Sequence, residues 1–401
     1  MKILYLTSRF PLPCYSGYQL RCMNFIKELS QYHDITLLSF VERTVNARYI
    51  NELKKYCKEV ITVRGATNTI SNVIINFFAT KPHHVLTHRN KFFEKQLRAL
   101  ISRNRFDVVF HNHIYFAEYI YLLRSSINIL DQHAFTPIYW KYIGKYHHNP
   151  LMRFFGEINR LKSIVYEKKN ISLFDLVISV SKNDKNETQR ITGCKNIIIA
   201  PNGVDVNYYR KKNDDIKDTN NTILFTGSGA ERNINAIYNF YEHVYKPISQ
   251  KINICFIIAG NIKKTQLKFI NFKNKYVILT GPVEDIRPYF NKADVYVAPF
   301  TIGGGTKLKI LEAMAMEVPI IATKTAIDGI EVHNGKHLTV AHSWREFRES
   351  LLELLKNKDL RVFLSKNARS LVKKKYSWKS IVSEVNNILE ELYKRHFVCK
   401  V

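Results

Sequence analysis

The sequence predicts an α/β protein built from two doubly wound parallel sheets. Three observations carry this. Short apolar runs recur with helix-length segments between them, which is the pattern of parallel strands covered on both faces. A polar stretch without periodicity divides the runs into two series. The 401-residue chain, 46% hydrophobic and 24% charged, is long enough for two domains with cores of their own.

In the first series the runs are KILYLT from Lys2, DITLLSF from Asp34, EVITV from Glu59, FDVVF from Phe106, INILD from Ile127, DLVISVS from Asp175 and NIIIAP from Asn196. KILYLT is too short and too soon polar for a secretory leader and reads as the first strand. Residues 201–221, PNGVDVNYYRKKNDDIKDTNN, read as the inter-domain linker. The second series is TILFTG from Thr222, ICFIIAG from Ile254, YVILTG from Tyr276, DVYVAPF from Asp294 and VPIIAT from Val318. Beyond residue 343 the pattern is helical, with no strand expected.

Six cysteines, at 14, 22, 57, 194, 255 and 399, form no Cys-x-x-Cys pair, so zinc and disulfides are not indicated and a reducing, cytoplasmic compartment is expected. No stretch approaches the ~18 to 20 apolar residues that span a bilayer. The formal net charge of +27 is spread over both halves and asks for a negative partner: nucleic acid, an anionic membrane face or a phosphorylated substrate. Nucleic acid is disfavoured, since neither ribonucleoprotein aromatics nor zinc or helix-turn-helix signals are found. Residues 138–170 hold seven basic and two acidic side chains with Tyr139, Trp140, Tyr142, Phe154 and Phe155 among them, a mixture suited to a headgroup interface.

Ligands of open parallel sheets sit at the carboxyl ends of the strands. Four such ends finish in unusual residues: Gly17 after the first, His111 and His113 after FDVVF, His133 after INILD, and Gly303, Gly304, Gly305 and Thr306 after DVYVAPF. Strand alternation would point His111 and His113 the same way. The glycine run lets a backbone approach phosphate, with Thr306 as a cap for the helix that follows. Lys307 and Lys309 fall about 200° apart on that helix, so only one of them, Lys309 by preference, would share a ligand with Glu312 three residues on. An ordinary ion pair between Lys309 and Glu312 is the plainer alternative.

GGGTKLKILEAMAMEVPIIATKTAIDGIEV from Gly303 resembles the nucleotide-sugar segment of the family 4 glycosyltransferases of GT-B fold. So do APNGVD from Ala200, TGPVEDIRPYFNKADVYVAPF from Thr280 and SGYQLRCMNFIKEL from Ser16. The resemblance implies two facing Rossmann-like domains, an acceptor-binding one over 1–205 and a nucleotide-sugar-binding one over 206–377. It also implies that the last helix, 378–401, crosses back to the first. It implies a retaining transfer from a nucleoside diphosphate sugar to a glycan or lipid-linked acceptor, in cell-surface polysaccharide synthesis at the cytoplasmic membrane face. Glu312 would accept the ribose hydroxyls, and His133 would stand near the reacting carbon with His111 and His113 on the acceptor side. Gly17 would lie beside the donor phosphates. No Asp-x-Asp pair occurs in the chain, so no cofactor metal is expected. Two positions depart from the family pattern. Gly304 stands where many members have a second glutamate, and Ser228 where many have an arginine, which leaves Arg232, Lys307 or Lys309 to meet the diphosphate. A non-catalytic subunit of the same fold and a basic nucleic-acid-binding protein are the rival readings.

Overall fold

The computed structural model describes residues 1–65, 79–133, 135–147, 149–211, 221–302 and 307–398; Gly303 to Thr306 lie outside the described residues. The chain divides into two compact units, Met1–Pro201 with Ile381–Val401, and Asn202–Ser380.

The first unit is a parallel sheet of β1 (Lys2–Thr7), β2 (Asp34–Val41), β3 (Glu59–Arg64), β4 (Val108–His111), β5 (Ile127–Gln132), β6 (Leu176–Ser179) and β7 (Ile197–Ile199). Its strand order is β3-β2-β1-β4-β5-β6-β7. β1 lies between β2 and β4, with Lys2 opposite Asp34 and Ile3 opposite Val108. Ile3, Leu4, Tyr5 and Leu6 have no exposed surface, as a central strand covered on both faces requires. The order reverses between β1 and β4, so the chain leaves these two strands in opposite directions and a crevice opens at their carboxyl ends. Helix α1 (Gly17–Leu29) starts there, capped by the Ser16 hydroxyl, which accepts from the Gln19 N–H.

On the same unit, α2 (Thr136–Tyr146) packs against α3 (Pro150–Asn170). A Cβ on Gly156 would come within 2.7 Å of the Gly144 nitrogen, so the helices touch through bare backbone. This packing removes two of the five aromatic residues from the interface expected over residues 138–170, while Tyr139 and Phe154 stay exposed. Trp140 and Phe155 are buried, edge to face at 5.8 Å, and belong to the helix contact.

The second unit repeats the plan with β8 (Thr222–Thr226), β9 (Cys255–Ala259), β10 (Val277–Gly281), β11 (Val295–Ala298), β12 (Ile320–Thr323) and β13 (Thr339–Ala341), in the order β10-β9-β8-β11-β12-β13. Its reversal falls between β8 and β11. β13 is absent from the sequence reading: it is three residues long, too short for a hydrophobic pattern, and exists through pairing with β12, Ile321 opposite Thr339.

Residues 202–211 correct the linker assignment, since they are part of this unit. Val204 is 2% exposed and its N–H donates to the Tyr376 carbonyl. The last long helix, α8 (Trp378–Tyr393), follows α6 (Trp344–Lys356) and α7 (Lys358–Leu371), and from Ile381 it counts with the first unit. There Val382, Val385 and Leu389 are buried at helical spacing, and Asn386 bonds the His33 ring.

Candidate active site

At the reversal point of the first unit, α1 carries a fully buried arginine. Arg21 Nη2 donates to Asp131 Oδ1 at 2.8 Å and Nε to Oδ2 at 3.0 Å, both side chains having no exposure. Its Nη1 donates to the carbonyls of Ala200 and Pro201, and the guanidinium lies 4.5 Å over the Phe25 ring. Two unit charges without water are tolerable only with every hydrogen bond made, and here the fork is met by a carboxylate and two carbonyls.

His133 follows β5 directly and sits beside this pair, its Nε2 3.0 Å from Asn112 Oδ1 and 3.5 Å from Asp131 Oδ2. The Asn112 amide nitrogen donates to the Leu6 carbonyl, which fixes Oδ1 as the acceptor. The His133 proton is therefore assigned to Nε2, leaving the Nδ1 lone pair to accept from a hydroxyl. Burial, with the Arg21 charge, holds its pKa well below 6.5, so the ring is neutral at neutral pH. Tyr18, next to Gly17, stacks on His113 at 5.2 Å and leans on His133 at 4.5 Å, while the two imidazoles are 5.1 Å apart. Burial likewise keeps His113 well below the usual range.

His111 does not join them. The strand ends at His111, so the alternation that would align it with His113 stops there. The His111 ring is buried, bonds Asn128 Oδ1 at 2.9 Å and meets the edge of Phe174. Of the three histidines singled out in the sequence, His133 and His113 share one environment and His111 another.

At the reversal point of the second unit, β8 runs into Gly227, Ser228 and helix α4 (Glu231–Phe240). A Cβ on Gly260, whose φ is +120°, would fall 2.1 Å from the Gly227 carbonyl oxygen, so these two backbones cross without room for a side chain. Asn233 Nδ2 donates to the Ser228 carbonyl at 2.8 Å, and Asn233 Oδ1 accepts from Lys309 Nζ at 3.4 Å. The lysine ammonium lies 5.6 Å from the Phe225 and Phe300 ring centroids.

Helix α5 (Leu308–Ala315) carries Lys309 and Glu312, and its N-cap residue is Lys307 rather than Thr306. Lys307 therefore stands outside the helix, and the 200° separation expected on a helical wheel does not apply to it. It is 7% exposed and close enough to Lys309 and Arg232 for each to feel the others' charge. Burial lowers Lys307 to about 8, Arg232 adding to the effect and Asp328 opposing it. Burial also lowers Lys309 to about 8, with Glu312 opposing and Arg232 and Lys307 adding. Glu312 is pushed up by burial and held back by Lys309 and by a hydrogen bond from Tyr209. The pair is thus no simple ion pair: Lys309 bonds Asn233, Glu312 bonds Tyr209, and the two interact through space.

Arg369 completes this group from α7. It donates to the carbonyls of Tyr209, Val206 and Ala315 and pairs with Glu317 Oε1 at 3.1 Å. It thereby ties the end of α5 to the segment that carries Tyr209. Asn233, Tyr209 and Arg369 escaped the sequence reading. Tyr208 and Tyr209, two tyrosines inside a polar run assigned to a linker, were the one signal available.

At this switch point Lys307, Lys309 and Arg232 gather positive charge at the start of α5, with the buried Glu312 carboxylate next to them, a combination chemically suited to an anion. Residues 17–208 match the model described as Glycosyltransferase Family 4, and 220–357 that of Glycosyl transferases group 1.

The chain belongs to the family 4 glycosyltransferases.

This glycosyltransferase is 23% identical over 403 residues to an uncharacterized 44.6 kDa protein in the cps region of Klebsiella pneumoniae, covering 96% of this chain and 98% of the other. It is 26% identical over 276 residues to an uncharacterized glycosyltransferase of Methanocaldococcus jannaschii, covering 63% of this chain and 68% of the relative. Its fold matches the crystal structure of Anabaena HepE in complex with UDP, with a TM-score of 0.70 at 14% identity over 98% of this chain and 100% of that one. It also matches sucrose-phosphate synthase from Thermosynechococcus elongatus, with a TM-score of 0.71 at 15% identity and the same coverage. The architecture is that of the GT-B glycosyltransferases.

Proposed function

We propose that this glycosyltransferase transfers a sugar, with retention and without a metal, from a nucleoside diphosphate sugar to a glycan or lipid-linked acceptor in cell-surface polysaccharide synthesis. The observation that carries the reading is the triad Arg232, Lys307 and Lys309 beside Glu312: three cations where a diphosphate would gain charge, and a carboxylate where ribose hydroxyls would need an acceptor. HepE, solved with UDP and with UDP-glucose, makes uridine donors the first to test, and the Klebsiella relative's cps region supports a polysaccharide product.

As the glycosidic bond breaks, negative charge develops on the leaving diphosphate. Lys307, Lys309 and Arg232 stabilise it from the positions they hold beside Glu312. Held in this way, the phosphate takes the acceptor's proton on the same face, so no carboxylate nucleophile is needed. Neutral His133, through Nδ1, orients the acceptor hydroxyl. Glu312 contributes binding to donor and product nucleotide alike.

The test is turnover of a nucleotide-sugar panel in EDTA, with the anomeric configuration of the product read by NMR. Retention and undiminished rate in EDTA are expected. Restoration of a lost rate by magnesium or manganese, or an inverted product, overturns the mechanism. Nucleotide binding without turnover of any sugar would favour the non-catalytic subunit, which Ser228 and Gly304 motivate.

A further inference from the structure

Helix α3 carries an apolar stripe on its outer side. Leu151, Phe154, Leu161 and Val165 are 77, 59, 53 and 68% exposed. At 3.6 residues per turn they fall within roughly 80° of arc, with Ile158 between them, over a length of about 21 Å. The opposite side of this 21-residue helix is occupied by packing, with Phe155, Gly156, Asn159, Ser163, Tyr166 and Glu167 buried. Four large apolar side chains aligned on one exposed helix face are a different matter from scattered ones.

The charges around the stripe choose its occupant. Arg153, Lys168 and Lys169 are exposed on the same helix, and Lys141 and Lys145 on neighbouring α2. Of the two carboxylates on α3, Glu167 is buried and Glu157 is held by Arg160. A second copy docking through this face would bring like charges together along the seam, which opposes self-association. An anionic sheet complements both the apolar stripe and its basic border.

The geometry points to α3 as an interfacial helix that lies in the plane of an anionic membrane, with Leu151, Phe154, Leu161 and Val165 in the acyl boundary and Arg153, Lys168 and Lys169 at the phosphates. No bilayer crossing is involved, and among the described residues no helix is long and apolar enough for one. This inference is independent of the donor chemistry.

Co-sedimentation with vesicles of mixed phosphatidylglycerol and phosphatidylcholine tests it. The wild-type protein should partition onto these and release in high salt, with little binding to phosphatidylcholine alone. The variant Phe154→Ser/Leu161→Ser/Val165→Ser should lose about tenfold or more of the partition coefficient. Its melting temperature and UDP affinity should not change, which separates this result from any failure of the donor site. Lys168→Gln/Lys169→Gln should bind less and with a shallower salt dependence. If the triple variant does not fold, Leu151→Glu carries the same expectation. Equal partition of wild type and apolar variant overturns the proposal, as does indifference to phosphatidylglycerol. A concentration-dependent dimer that the triple variant abolishes, without change in vesicle binding, gives the stripe to a second copy and also overturns it.

Discussion

The two units place charge at the same topological point and use it in opposite ways. In the first, Arg21 and Asp131 neutralise each other with no solvent contact, and the one ring beside them, His133, is kept neutral. In the second, Lys307, Lys309 and Arg232 crowd together, and the nearby Glu312 bonds to Tyr209 instead of closing an ion pair. Cancelled charge fixes a scaffold. Uncancelled charge, held in place at a cost in lysine basicity, would be relieved by a ligand that brings the opposite sign. Two sheets that share the order of six strands thus carry a closed charge pair in one unit and an open cluster of cations in the other, and on the proposed reading the second receives the donor.

Breaking the buried pair should have the largest effect. Arg21→Met leaves the Asp131 carboxyl buried without its guanidinium partner, a loss of about 3 to 5 kcal/mol, read as a lower denaturation midpoint. Arg21→Met with Asp131→Leu should recover much of it. If the single variant melts like wild type, the first half of the comparison is wrong.

Changes in the second unit should act on ligand more than on fold. Lys309→Met removes a cation that burial disfavours, so stability should hold or rise while affinity for UDP falls by about 1.5 to 3 kcal/mol, the worth of a charged hydrogen bond. Glu312→Gln should weaken UDP and UDP-sugars alike, by the lower end of that range, because the lost contact is to ribose and not to the sugar. Calorimetry showing unchanged UDP affinity in Glu312→Gln would remove the ribose assignment.

A smaller effect is expected from pH, and its two signs oppose each other. Lys307 and Lys309 titrate near 8 in the fold and near 10.5 when unfolded. Between these values the unfolded chain holds more protons, so these lysines make the fold more stable as pH rises through that window. Anion binding needs the protonated form, so UDP affinity should fall over the same interval. Denaturation and UDP titrations at pH 7.5 and 9 should move in opposite directions; parallel movement would mean that the lysines do not face the nucleotide.

The sequence told most about elements whose signal is local. Twelve of the described strands coincide with apolar runs, the central ones because strands buried on both faces are apolar throughout. β13 was not legible because its existence depends on a neighbour. The same division holds at the site. Glu312 and Lys309 stand at a spacing that one helix explains, whereas Tyr209, Asn233 and Arg369 reach them from segments far apart in sequence. Lys307 was misplaced for a smaller reason: the helix starts one residue later than its composition suggests, and an N-cap residue in extended conformation is not placed by a helical wheel. His111 was misjudged in the same way, at the place where strand geometry stops.

The grip of Arg369 has a bearing on how this chain tolerates change in length. Tyr209 is anchored through its carbonyl, and Thr222 is anchored by Asp294, whose carboxylate accepts from the Thr222 N–H at 2.9 Å. Neither bond involves residues 212–220, the polar run that joins the two in sequence. Each doubling of a flexible connection costs only about 0.6 kcal/mol in closure entropy. That makes this run the place to graft a tag, a reporter or a second binding module without slackening Tyr209 against Glu312.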